Sequence, residues 1–190
     1  AVVAKEMNAQ RIVIHSGSCA KLDRLTALEY AKKTLKSAME HLDSEGYSNI
    51  ILCPETMGKI NQLGTVDEVI ELCKVDERFL PTIDFGHINA RTMGSLKTKR
   101  DFEDIFDAFE NALGIDRVRY FHSHFSKIEY TVGGEKKHLT FEDEEFGPDF
   151  GYVAEIVYER GYFPTFICES DDTQAKDALI MKQIYEKVVT

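Results

Sequence analysis

Asn49-Ile-Ile-Leu-Cys53-Pro-Glu55 is a run of apolar, β-branched residues with a carboxylate just beyond its end. It is too short for a helix and apolar on both faces, so it reads as a strand buried on both sides, as in parallel sheets. Four further runs share its form: Arg11-Ile-Val-Ile-His15, Phe79-Leu-Pro-Thr-Ile83, Val118-Arg-Tyr-Phe-His122 and Pro164-Thr-Phe-Ile-Cys168. Each is closed or followed by a polar residue able to bind metal: His15, Glu55, Asp84, His122 and Glu169.

Helical patterns fill the intervals. Residues 26–42 place Leu28, Ala31, Leu35, Ala38, Met39 and Leu42 at helical spacing, and 66–73 follow the same logic behind Thr65 as N-cap. Residues 101–113 put Phe102, Ile105, Phe106 and Phe109 on one face after an Asp101 cap, and 150–160 and 173–188 complete the series. Gly46, Gly114 and Gly161 fall just past helix ends, where a C′ glycine is expected. Strands alternating with helices imply parallel βαβ units, and spacings of about thirty to fifty residues suit a decorated barrel or a doubly wound sheet. No glycine-rich dinucleotide turn follows a strand: the first reads His15-Ser-Gly-Ser-Cys and the second Glu55-Thr-Met-Gly-Lys.

The expected fold is therefore α/β, of (β/α)8 TIM-barrel type, with residues 1–190 as one domain. About five C-terminal βα units, strands four to eight, are read in it. The opening Ala1-Val-Val-Ala-Lys-Glu-Met-Asn reads as the tail of a helix, so about three units are expected before it. An open five-stranded sheet is the alternative.

Composition is ordinary for a globular chain, with 43% hydrophobic and 29% charged residues. No apolar run reaches membrane-spanning length, and the start lacks the layout of a signal peptide, so a cytoplasmic location without a membrane partner is expected. Cys19, Cys53, Cys73 and Cys168 form no C-x-x-C pair and are expected to be reduced. The net charge of −10 argues against nucleic acid held by a broadly basic surface, though not against one held through metal ions and a local basic loop.

One strand-end carboxylate or histidine is more often a cap or a loop hydrogen-bond partner. Five at equivalent positions, on the face where parallel α/β folds gather their chemistry, point to a divalent ion. The mixed donor set suits zinc first, with manganese and magnesium as alternatives. His87, three residues past Asp84, reaches the same crevice from one loop, either as a ligand to a further ion or as a substrate hydrogen bonder. His124 shares a strand face with His122 but remains ambiguous, His138 follows a Gly-rich turn that can fold back over the strand ends, and His41 reads as surface.

Three segments, Glu55-Thr-Met-Gly58-Lys-Ile-Asn-Gln-Leu63-Gly64, Ile83-Asp84-Phe-Gly-His87 and His122-Ser-His-Phe-Ser-Lys127 with His138 beyond, resemble signature segments of endonuclease IV. That family of abasic-site endonucleases lies within the xylose-isomerase-like TIM barrels. Ile12-Val-Ile-His15-Ser-Gly-Ser is similar to its fourth strand and Phe166-Ile-Cys-Glu169-Ser to its last. The resemblance implies that Glu55 bridges two ions, with His15 in the first site and Asp84, His122 and Glu169 in the second. His87 and His138 would hold a third, where the family has an aspartate at the position of Lys136; the family's Asn-Asp after the strand-seven histidine is replaced by His124-Phe125.

It also implies DNA with abasic sites as substrate and hydrolysis of a phosphodiester, with Glu55 and Glu169 as catalytic carboxylates. Lys59, Arg91 and Lys127 become candidate substrate contacts, with Lys97, Lys99 and Arg100 nearby. A sugar isomerase or epimerase of the same superfamily is the alternative. There the Glu55, Asp84, His122 and Glu169 quartet would hold one ion beside a small sugar, and the two glutamates would shuttle a proton. A third reading is an incomplete barrel without activity.

Overall fold

The computed structural model describes residues 1–190. Its elements run α1 (Val2–Glu6), β1 (Arg11–Ile14), α2 (Arg24–Ser44), β2 (Ile51–Pro54), α3 (Val66–Cys73), β3 (Thr82–Asp84), α4 (Phe85–Arg91) and α5 (Lys99–Leu113). They continue as α6 (Ile115–Val118), β4 (His122–Phe125), β5 (Ile128–Thr131), β6 (Gly134–His138), α7 (Phe150–Glu159), β7 (Thr165–Cys168) and α8 (Gln174–Val189).

Five strands pair in parallel and in chain order. β1 pairs with β2, β3 with β4 and β4 with β7, while a single parallel bridge, Glu55 to Thr82, joins β2 to β3. This arc of parallel strands, each followed by helix, has the TIM-barrel arrangement. The antiparallel hairpin β5–β6 is inserted between β4 and α7.

Phenylalanines seal the sheet to its helices. Phe102 and Phe106 of α5 meet Phe85, Phe106 meets Phe121, and Phe125 meets Phe150 of α7 at 5.0 Å between ring centres. Phe85, Phe102, Phe106, Phe121 and Phe125 are fully buried, each removing area worth roughly 2–3 kcal/mol from water. Across the arc, Arg11 at the start of β1 donates to Thr165 Oγ1 at the start of β7 (3.2 Å) and to the Phe121 carbonyl (3.5 Å). All four cysteines are free and buried, and no helix is long and apolar enough to cross a membrane.

Two local expectations need correction. The strand expected over 118–122 begins only at His122, and Val118 instead closes the one-turn helix α6. Val118 and Phe121 are buried while Tyr120 is exposed, which is the three-residue period of a turn and not the alternation of a strand. Arg117 anchors that turn by donating to the carbonyls of Cys73, Asp76 and Phe79. The crevice after Asp84 is also no simple loop. Asp84 Oδ1 accepts from the His87 amide at 2.7 Å and so caps α4, lifting His87 one turn above the strand end.

Candidate metal centre

Glu55, one residue past β2, is fully buried, and three histidines converge on it. His124 Nδ1 lies 2.8 Å from Oε1, His87 Nδ1 lies 3.6 Å from the same oxygen, and His15 Nε2 lies 3.0 Å from Oε2. His124 also reaches Glu169 Oε1 at 3.2 Å, from the loop after β7. Glu55, Asp84, His124 and Glu169 can point one ligand atom each into a space no wider than 4.8 Å.

A second group adjoins it, made of His87, Glu135 and His138 within the same limit. His87 donates Nδ1–H to the Thr56 carbonyl at 2.9 Å, which leaves Nε2 with its lone pair 3.4 Å from Glu135 Oε2. Ser126 Oγ engages His138 Nδ1 at 2.8 Å, so His138 likewise presents Nε2, 3.7 Å from Glu135 Oε1. Fixing one ring nitrogen to orient the other is the usual support for a ligating histidine.

The donors fit a divalent ion on a further observation. Glu55 Oε2 and Asp84 Oδ2 are buried oxygens without a hydrogen-bond partner; His15 stands close to the first without bonding it. Burial without a partner costs such atoms about 1–3 kcal/mol or more, a cost that coordination removes. Protonation is the other relief. Burial pushes the Asp84 carboxyl up to about 7, and the charges of Glu55 and Glu169 reinforce this against His87. Burial would likewise depress His87 and His124, but the surrounding carboxylates hold both above the usual imidazole value. Glu55 resists its burial through the hydrogen bond and charge of His124, with His87 and His15 adding, and stays below the ordinary carboxyl range.

The structure brings His15, Glu55, Asp84, His87, His138 and Glu169 together. His122 lies outside both groups. Burial and the charges of His124 and Arg11 push its imidazole down to about 4, and its Nδ1 has no partner. β4 starts four residues later than the sequence suggests, and it is His124, rather than the expected His122, whose ring nitrogen comes within reach of Glu55, Asp84 and Glu169.

Glu135 was missed altogether. In β6 the register runs Ile128 to His138 and Glu129 to Lys137, then skips to Tyr130 opposite Glu135, so Lys136 is the extra residue of a bulge. The bulge shifts the alternation by one. Glu135 therefore joins His138 on the inner side, and Lys136 pairs outward with Glu129.

The expected substrate contacts are placed otherwise. Arg91 donates to the carbonyls of Met57, Lys59, Ile60 and Gln62, wrapping the loop after β2. Lys127 donates to the carbonyls of Phe141 and Asp143. Lys59 alone of the three keeps an exposed ammonium without an ion pair, on a loop bridged to Gly134 of the hairpin. Gly58 beside it is pressed so closely on Glu135 that an added Cβ would stand 2.6 Å from the Glu135 Cβ.

A family model described as a xylose isomerase-like TIM barrel matches residues 1–185. A protein of Methanocaldococcus jannaschii carried as uncharacterised is 33% identical over 181 residues, 94% of this chain and 65% of that protein. A probable endonuclease 4 of Staphylococcus carnosus is 30% identical over 153 residues, covering 78% of this chain and 46% of that one. The crystal structure of a D-tagatose 3-epimerase-like protein superposes with a TM-score of 0.69 at 24% identity, over 97% of this chain and 65% of that one. The chain thus spans about two thirds or less of the length of these proteins.

Proposed function

The chain belongs to the xylose isomerase-like TIM barrel family, and from that footing we propose that it is a metal-dependent hydrolase of phosphodiesters, of endonuclease IV type. The observation that carries this reading is the second donor group, His87, Glu135 and His138, set against the first through the approach of His87 to Glu55. Polynuclear sites suit phosphodiester displacement, whereas an isomerase needs only the quartet.

Glu55, Asp84, His124 and Glu169 would hold one ion, His15 and Glu55 contribute to a neighbour, and the His87 group would hold another, zinc being the first candidate. Such ions supply an acidified water and neutralise charge on the phosphoryl oxygens. The chain's residues do the rest. His124 Nδ1 stands 2.8 Å from Glu55 and 3.2 Å from Glu169, so the three side chains would turn to the same point. Glu169, a third exposed at the mouth, would take a proton from an attacking water, while buried Glu55 would orient its neighbours. Abasic-site DNA, the substrate implied by the resemblance and by the name of the S. carnosus relative, is one member of this ester class.

A second reading, a sugar isomerase or epimerase, is favoured by the quartet itself. The two are separated by assaying the metal-loaded chain on bis(p-nitrophenyl) phosphate and on a panel of ketoses. We expect nitrophenolate release that Glu55→Gln abolishes and Glu135→Gln lowers at least tenfold. Ketose turnover indifferent to Glu135→Gln, with the diester untouched, would sink the hydrolase reading.

A further inference from the structure

We propose that the ester taken at this site is a small molecule bearing one phosphodiester, and that nucleic-acid duplexes are excluded by the charge of the rim; the chemistry, though not the exclusion, rests on the hydrolase reading. A duplex-binding protein places many lysines and arginines against phosphates, commonly about six to ten of them. The loops that follow the strands, with the hairpin and the adjoining helix turns, carry basic residues, but nearly all are paired within the chain. Arg24 grips Glu68 and the carbonyls of Ile60 and Gln62, and Arg91 and Lys127 are committed to loop carbonyls. Lys99 is paired with Glu159, Arg100 with Asp104, Lys136 with Glu129, Lys137 with Asp171 and Lys176 with Glu142. Only Lys21, Lys59 and Lys97 on these loops form neither an ion pair nor a side-chain hydrogen bond.

The opposite charge dominates the rim. Segment 126–149, between β4 and α7, holds three lysines against seven carboxylates, and the whole chain carries −10. Glu144 and Glu145 are exposed and unpaired. A field of this sign repels a polyanion as it approaches, while a single phosphate meets the local charge of the site. Lys59 is suited to that smaller task. It follows Gly58, whose backbone lies against His87 and Glu135, and is itself bridged to Gly134, so the residue that carries this free ammonium is anchored next to the second donor group.

Binding and turnover test the two parts separately, with the zinc-loaded chain. Anisotropy of a labelled abasic-site duplex should give a Kd weaker than about 10 μM at 50 mM salt, within the range of non-specific contacts. Thymidine 5′-(p-nitrophenyl phosphate) should be hydrolysed, with kcat/KM falling no more than about fourfold between 50 and 200 mM salt, the dependence expected of one phosphate contact. Lys59→Ala should raise KM for this ester and leave kcat in place. The double variant Glu144→Lys, Glu145→Lys lies outside both donor groups and should tighten duplex binding at least tenfold with a steeper salt slope. Submicromolar duplex binding at 200 mM salt with a slope of six or more would overturn the exclusion. Weak duplex binding with no hydrolysis of the nucleotide ester would leave the exclusion standing and remove the phosphodiester substrate along with the hydrolase reading.

Discussion

Thr56 offers its carbonyl to His87, Ser126 its hydroxyl to His138, and the two contacts select Nε2 of both rings for the space around Glu135. At this scale the ligands can be told from their neighbours by mutation. His124→Ala should weaken zinc affinity by about 100-fold or more in chelator competition, a loss at or above that of disturbing a ligand's support. His122→Ala should cost less than about tenfold, because His122 stands outside both groups; the reverse order would restore the assignment expected from sequence. The strand-end acids Glu55, Asp84 and Glu169 were legible because each follows a short apolar run. His124 was not, since an apolar stretch that turns once before extending looks like an earlier strand. Glu135 was hidden by the bulge, because alternation counted back from His138 lands on Lys136.

The loop between β2 and α3 is held by side chains from three helices. Arg91 of α4 and Arg24 of α2 hold its carbonyls, and Glu68 of α3 accepts from the amides of Gly64 (2.7 Å) and Thr65 (2.9 Å). Thr65 Oγ1 in turn accepts from the Glu68 amide, closing a capping box whose Thr65 was readable in advance. Arg91→Ala should destabilise by about 2 kcal/mol, lowering Tm by roughly 4–8 °C for a chain of this size, and Arg91→Lys should recover little because lysine has no fork. Burial works to raise Glu68, but Arg24 and the two amides hold its carboxyl below the ordinary value. Its folded pKa being the lower, it stabilises at pH above about 4.5, and this contribution is lost as pH falls through the folded pKa. Urea unfolding at pH 6 and pH 3 should show wild type losing more stability than Glu68→Gln; equal losses would remove Glu68 from the acid response.

For the whole molecule, ions that bind only the folded chain add stability by mass action. Zinc at 100 times its Kd should add about 2.7 kcal/mol, so chelation should lower Tm by roughly 5–10 °C. An unchanged Tm with and without chelator would mean that the two donor groups hold no ion. The parallel α/β plan was legible from the apolar runs and helical spacing because burial on both faces leaves a plain signature. The hairpin and α4 were not, since their positions depend on a cap at Asp84 and a register that local periodicity does not encode.

Arg11 gives this arc a mechanical property. Its guanidinium ties the first strand of the chain to its last at the end remote from the two donor groups, as a string ties the tips of a bow. With that end tethered, relative movement of the strands is expected at the opposite end, at the tips that carry Glu55, His124 and Glu169. A single side chain would thereby stiffen an aperture that it never touches.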